Sequence, residues 1–233
     1  MNHYFTNDNN LKSNKKTIDI VFDNKKISLY TDNGVFSKEH FDYGSRLLIT
    51  NFIKENKEGR VLDLGCGYGI IGIILSDNKN LFIDMVDVNK RAIQLSQENL
   101  KLNKTENANC FESDIYSNVK DKYDYIITNP PIRAGKEIIR KFLFEASNHL
   151  EENGEVWFVM RKDHGVKSMI KELEKKYLVK IIDKDKGFYI VQLKKTKNLP
   201  EINWLIYFFL ITLYIGNASL YGVHIKNIGI GVK

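Results

Sequence analysis

The chain has 233 residues, of which 43% are hydrophobic and 27% charged, with a formal net charge of +6. That is the make-up of a soluble globular protein with room for one ordinary domain and a short appendage. Two cysteines, Cys66 and Cys110, with no Cys/His cluster at zinc spacing, argue against a structural metal and fit free thiols in a reducing cytosol.

The excess of cations suits an anionic partner such as nucleic acid, and equally a lysine-rich solvated surface. Met1 to Lys16 is polar and rich in Asn and Lys. It has no apolar stretch of the secretory kind, so no export is expected and the protein is expected in the cytoplasm.

Residues 17–30 read as a hairpin. Ile18, Ile20 and Phe22 alternate with polar residues, Asp23-Asn24 supplies the turn, and Ile27 and Leu29 alternate again. Residues 42–56 read as a helix, with Leu47, Leu48, Phe52 and Ile53 on one face. "GRVLDLGCGYGIIGIIL" (59–75) is a buried strand, a glycine loop and an apolar helix. "LFIDMVDV" (81–88) is a second strand, followed by a helix over 89–103 and a short strand over 108–112. "YDYIITN" (123–129) is a further strand, then come a helix over 135–150, "EVWFVMR" (155–161) and a helix over 165–177. "VKIIDKD" and "GFYIVQLKK" close the pattern as two strands joined at Lys186-Gly187.

Strand and helix alternate, and most strands are continuous apolar runs, as when both sheet faces are covered. This predicts an α/β fold: a doubly wound, seven-stranded, mostly parallel sheet with an N-terminal β-hairpin. The closing hairpin makes one terminal strand antiparallel. Three segments follow: an extension and hairpin over 1–34, a domain over 35–196, and an apolar tail over 197–233.

"DLGCGYG" (Asp63–Gly69) lies at the carboxyl end of the first parallel strand, the edge where open α/β sheets bind ligands. Gly65, Gly67 and Gly69 allow a tight turn and a close approach of backbone to ligand. Ile70 stands where a dinucleotide fingerprint wants glycine, and no Gly-Lys-Ser/Thr P-loop is present. The loop therefore suits a nucleoside without a pyrophosphate. Asp63 is placed to receive a cationic amino group. Asp87, 22 residues after Gly65, is placed for both ribose hydroxyls, and Asp114 for an adenine amino group. A tight strand-to-helix turn would explain the glycines alone, but not acids at successive strand ends.

"IITNPPIRAGK" (126–136) puts Asn129, Pro130 and Pro131 at another strand end. The Asn129 side-chain carbonyl and the Pro130 backbone carbonyl are candidate hydrogen-bond acceptors there. The two prolines stiffen the turn. Arg133 and Lys136 are phosphate contacts or solvated cations. Cys66 reads as a packing residue. None of the five histidines pairs with a nucleophile, and His149 ends a helix, where a cation is favoured.

With "GVFSKEHFDYGSRLL", "VLDLGCGYGIIGI", "DVNKRAIQLSQENLKLN" and "YDYIITNPPIRAGK", the sequence resembles the class I S-adenosylmethionine-dependent methyltransferases over roughly Val35 to Leu193. Among these it is most similar to the small-domain type that methylates guanine N2 in 16S ribosomal RNA. The resemblance implies S-adenosylmethionine as cofactor and a last strand inserted antiparallel. It places Cys66, Gly69, Val88, Ile115 and Asn129 beside the cofactor with Asp63, Gly65, Gly67, Asp87 and Asp114. Asn129, Pro130 and Pro131 are the implied catalytic segment: methyl transfer to an amino nitrogen needs its lone pair turned out of conjugation, and acceptance of its hydrogens by the Asn129 side-chain and Pro130 backbone carbonyls would favour that state. Phe36, Ile132, Arg133 and Lys136 are the implied substrate contacts, with ribosomal RNA or the small subunit as partner.

Many amino-methylating relatives carry an aromatic at the position of Ile132, which weakens an adenine-N6 assignment. Adenine N6, protein glutamine or a small molecule remain alternative acceptors, and a non-catalytic cofactor-binding module is the second alternative. Trp204 to Ile215 holds a single polar side chain, Thr212. It reads as a membrane anchor behind Lys194, Lys195 and Lys197, as an apolar element packed on this domain or a partner, or as a stretch foreign to the family.

Overall fold

The computed structural model describes residues 12–35 and 41–195. Phe36 and the apolar tail lie outside the described residues. All described residues belong to one compact unit, which ends at Lys195.

A two-stranded hairpin, β1 (Lys16–Phe22) and β2 (Lys25–Thr31), comes first. Its turn is Asp23-Asn24, and both residues have positive φ (48° and 61°). That geometry matches the twist of a two-residue hairpin, and Asn and Asp tolerate it best after glycine. The hairpin's apolar face, Ile20, Phe22, Ile27 and Leu29, joins the main core cluster.

The rest forms a seven-stranded sheet with helices on both faces. In chain order the elements are α1 (Tyr43–Phe52), β3 (Gly59–Leu64), α2 (Ile70–Leu75), β4 (Leu81–Asp87), α3 (Lys90–Leu102), β5 (Ala108–Glu112), β6 (Tyr123–Thr128), α4 (Lys136–Phe144), β7 (Leu150–Arg161), α5 (Val166–Leu173), β8 (Tyr177–Asp185) and β9 (Phe188–Lys195). The order across the sheet is β5-β4-β3-β6-β7-β9-β8. Every pairing from β5 to β7 is parallel, and β9 runs antiparallel between β7 and β8. The antiparallel strand is thus last among the described residues and interior in the sheet.

Leu62, Leu64, Ile126, Val156, Phe158 and Val191 are buried on one face, and Val61, Ile127, Trp157, Val159 and Ile190 on the other. This two-sided burial is why the strands read as unbroken apolar runs. Asn99 of α3, fully buried, clamps the hairpin: its side chain accepts from Tyr30 N at 2.6 Å and donates to Tyr30 O at 2.9 Å.

Three predicted helices end early: the one over 42–56 at Phe52, the one over 165–177 at Leu173, with β8 starting at Tyr177, and above all the one over 135–150. The helix expected over 135–150 ends at Phe144, passes through a 3-10 turn at Glu145–Asn148, and β7 begins already at Leu150. Residues 151–154 are polar and carry no strand pattern. They are held by Leu150 pairing with Tyr123, with a register shift before Tyr125. His149 therefore follows a 3-10 turn and stacks on Tyr116 at 4.4 Å. Burial pushes its pKa down, against the cationic state expected at a helix end.

Candidate functional site

The chain leaves β3 in one direction for β4 and β5, then returns to the other side of β3 with β6. At such a switch point the loops after two neighbouring strands diverge and open a crevice beyond their carboxyl ends. The glycine loop follows β3 and Asn-Pro-Pro follows β6. Thr128 ties the two ends together, its hydroxyl donating to Leu64 O at 2.7 Å. A cavity of about 840 Å³ opens there.

Of the expected site residues, Gly65, Cys66, Gly67, Asp87, Val88, Asp114, Ile115, Asn129, Pro130, Pro131, Ile132 and Arg133 all border this one cavity. Three others do not. Asp63 lies fully buried beneath the glycine loop, and Gly69 caps α2. Lys136 opens α4, where its ammonium pairs with Glu172 of α5 at 2.8 Å.

The glycine loop is built around Asp87. Gly67 has φ +58°, open space where a Cβ would stand, and an N–H that donates to Asp87 Oδ2 at 2.9 Å. Asp87 Oδ1 accepts from Asn89 N at 2.8 Å. Burial raises the Asp87 pKa, while N–H groups of Asn89, Gly67 and Val88 act to lower it. Asp63 accepts from Gly72 N at 3.1 Å through Oδ2, and its buried Oδ1 has no hydrogen-bond partner among the described residues. Burial pushes its carboxyl up to about 7. The Cys66 thiol is buried and pushed well above its ordinary range by burial, the wrong direction for a nucleophile.

Ser113 to Ser117 form a tight turn at the end of β5. Ile115, β-branched, sits at φ +52°, a costly conformation for such a residue. The Ser113 hydroxyl holds it by donating to Ile115 O at 2.9 Å.

Asn129 is fixed by the N-terminus of α1. Its Nδ2 donates to Asp42 Oδ2 and to Ser45 Oγ, each at 2.9 Å. A carboxylate only accepts, so this pair sets which way the amide faces. Its Oδ1, and the carbonyl of Pro130, accept no hydrogen bond among the described residues. Asp42 meanwhile caps α1, accepting from Ser45 N at 2.8 Å.

A family model described as the methyltransferase small domain matches residues 26–192. The chain belongs to the methyltransferase small-domain family. Over 197 residues it is 44% identical to the Bacillus subtilis uncharacterized protein YbxB, covering 83% of this chain and 98% of that one. Over 152 residues it is 34% identical to ribosomal RNA small subunit methyltransferase C of Psychromonas ingrahamii, covering 63% of this chain and 43% of that one. The fold is similar to that of the T. thermophilus 16S rRNA N2 G1207 methyltransferase, solved with AdoMet and guanosine. The TM-score is 0.71 at 21% identity, over 78% of this chain and 51% of that one. The chain thus spans under half the length of that P. ingrahamii enzyme and about half of the T. thermophilus one.

This methyltransferase small domain has a site whose chemistry fits S-adenosylmethionine. A buried carboxylate oxygen at Asp63 with no partner among the described residues suits a cationic group. A carboxylate at Asp87, oriented by backbone N–H groups, keeps lone pairs for hydroxyls. Phe41 and Ser45, which the resemblance covered only as part of the segment before β3, border the same cavity, and so do Met160, Arg161, His164 and Phe188, which the sequence reasoning missed. Only Asp42 to Ser45 carried a local signal, the Asp-x-x-Ser start of a helix. Met160, Arg161 and Phe188 reach the cavity through the register of β7 and β9, His164 through the turn after β7, and Phe41 through the approach to α1.

Proposed function

We propose that this protein transfers a methyl group from S-adenosylmethionine to the exocyclic N2 of a guanine in ribosomal RNA, on the RNA or on the small ribosomal subunit. The observation that carries the reading is the orientation of Asn129. Its amide hydrogens are occupied by Asp42 and Ser45, while its Oδ1 and the Pro130 carbonyl accept no hydrogen bond among the described residues, and both residues border the cavity. Two acceptors at a stiff corner suit an amino group with two hydrogens.

S-adenosylmethionine supplies a methyl carbon made electrophilic by a sulfonium. Asp63 balances the positive charge of the cofactor's amino group, Asp87 takes the ribose hydroxyls, and Asp114 with the Ile115 backbone borders the adenine. Cys66, Gly65, Gly67 and Val88 contribute backbone surface, and Gly69 turns the loop into α2 behind them. Asn129 Oδ1 and Pro130 O accept from the target amino group and turn its lone pair toward the methyl carbon, while Pro131 holds the corner. The N–C bond forms as the S–C bond breaks, and the surplus amino proton leaves to solvent. Positioning and electrostatics are sufficient, and no covalent enzyme intermediate is needed. Ile132 touches the base face, and exposed Arg133 meets a phosphate, so binding weakens as salt rises.

A labelled-methyl transfer assay tests this on naked ribosomal RNA, isolated small subunits and a protein extract, followed by nucleoside analysis. The expected result is N2-methylguanosine from one of the first two. Label in N6-methyladenosine or in protein would reassign the acceptor, and no transfer to any of them would leave a cofactor-binding module.

A further inference from the structure

The residue after Asn-Pro-Pro is Ile132, which gives a base no ring to stack on. The cavity nevertheless contains an aromatic, Phe188, from the other end of the domain. We propose that Phe188 is the stacking platform for the target nucleobase, an inference that rests on the reading of this site as a nucleobase methyltransferase.

Phe188 is the first residue of β9. Because β9 runs antiparallel, its start lies at the same sheet edge as the ends of the parallel strands, paired with Arg161, the last residue of β7. An ordinary parallel strand would have put its first residue at the far edge. Arg161 therefore stands at the end of the strand next to β6, Phe188 one strand further out, and both border the same cavity as the Asn-Pro-Pro corner.

The ring is held from several sides. Gly44 lies against its edge so closely that a Cβ there would come within 2.9 Å of Cε1. A side chain at position 44 would therefore displace the ring or shift the start of α1. The Tyr43 ring packs at 5.6 Å, and the Arg161 guanidinium lies 5.3 Å from the Phe188 centroid. Arg161 is itself fixed by two bonds to Asp163, at 2.9 and 3.0 Å. The β8–β9 turn is pinned on the same helix end and on the turn after β7. The Tyr43 hydroxyl donates to Asp185, Lys186 lies 4.5 Å over the Tyr43 ring, and Lys162 N donates to Gly187 O at 2.8 Å.

The first turn of α1 therefore fixes both halves of the acceptor site. Asp42 and Ser45 orient the Asn129 amide, and Tyr43 and Gly44 seat the Phe188 ring. A planar purine with an exocyclic amino group fits such a pair: a ring for its face and two carbonyls for its amino hydrogens. An extruded base suits this arrangement, because every nucleobase has a π face and stacking on an aromatic needs no particular edge.

The test uses Phe188→Leu and Phe188→Tyr with two readouts. The first is quenching of 2-aminopurine riboside, a fluorescent purine with a 2-amino group, titrated into protein saturated with S-adenosylhomocysteine. The second is steady-state methylation of RNA. Wild type should quench the probe, Phe188→Leu should lose the quench, and Phe188→Tyr should restore most of it. Phe188→Leu should lower kcat/KM for RNA by roughly ten- to a hundredfold, the range of one lost base–aromatic stack. S-adenosylmethionine affinity and thermal midpoint should stay near wild type in both variants. RNA methylation by Phe188→Leu at the wild-type rate would overturn the platform and leave the proposed reaction standing. A quench that depends on Phe188, without RNA methylation by wild type, would overturn the reaction and leave the platform. Loss of cofactor binding in Phe188→Leu would show a merely structural ring and overturn the inference.

Discussion

The side-chain amide of Asn129 is held 2.9 Å from Asp42 Oδ2, across 87 residues of sequence. One carboxylate thus caps α1 and fixes the face that Asn129 presents to the cavity. Asp42→Ala should lower kcat for methyl transfer roughly ten- to a hundredfold through lost orientation, with cofactor affinity nearly unchanged. It should also cost about 1 kcal/mol of stability through the lost cap. Steady-state kinetics and thermal unfolding of the variant, beside a milder Ser45→Ala, measure both effects. Equal loss of cofactor binding and turnover would argue against an orienting role.

Asn129→Ala removes the acceptor and keeps the corner. About 10²–10³ in kcat should be lost, the range for one preorganised polar group at a reacting centre. Cofactor affinity by calorimetry should stay within a few-fold, since Asp63 and Asp87 are untouched.

Burial holds the Asp63 carboxyl near 7, well above its unfolded value of 3.8. A raised carboxyl favours the protonated folded state. Its contribution to stability in the cofactor-free protein is therefore complete below about pH 4 and lost as pH rises through about 7. Over that window the loss is on the order of 4 kcal/mol. A cationic cofactor group reverses the preference, so affinity for S-adenosylmethionine should rise with pH and level off above about 7. At about pH 6, calorimetry in buffers of different ionisation enthalpy should detect proton release on binding. Asp63→Asn should remove both pH dependences and weaken binding throughout.

Far from the cavity, Glu155 accepts from Trp157 Nε1 and Gln192 Nε2 at 2.8 Å each and pairs with Lys194 at 2.7 Å and buried Lys57 at 3.2 Å. Burial alone would raise its carboxyl, but those hydrogen bonds and the Lys57 charge hold it at about 2. Its contribution is present above the ordinary carboxylate range and is lost as pH falls through about 2. Lys57 lies over Phe52, Tyr125 and Trp157 at 4.6–5.2 Å. Glu155→Leu should destabilise the protein by about 3–5 kcal/mol, because a buried ammonium is left with the exposed Glu55. Denaturant unfolding measures it, and Lys57→Met in the same background should recover part of the loss.

The alternation of apolar runs with amphipathic helices determined the layered sheet, because two-sided burial leaves a mark on every strand. Turn chemistry at Asp23-Asn24 and Lys186-Gly187 marked both hairpins, since positive φ restricts residue choice locally. The glycine loop, Asp87 and Asn-Pro-Pro were equally legible, each being a short motif at a strand end. Tertiary structure alone decided that Asp42 and Ser45 orient Asn129, that Lys136 turns away to Glu172, and that Phe188 comes to the cavity. Local patterns report backbone geometry within a few residues. Which side chains meet across the domain depends on strand order and register, above all on β9 being inserted antiparallel beside β7.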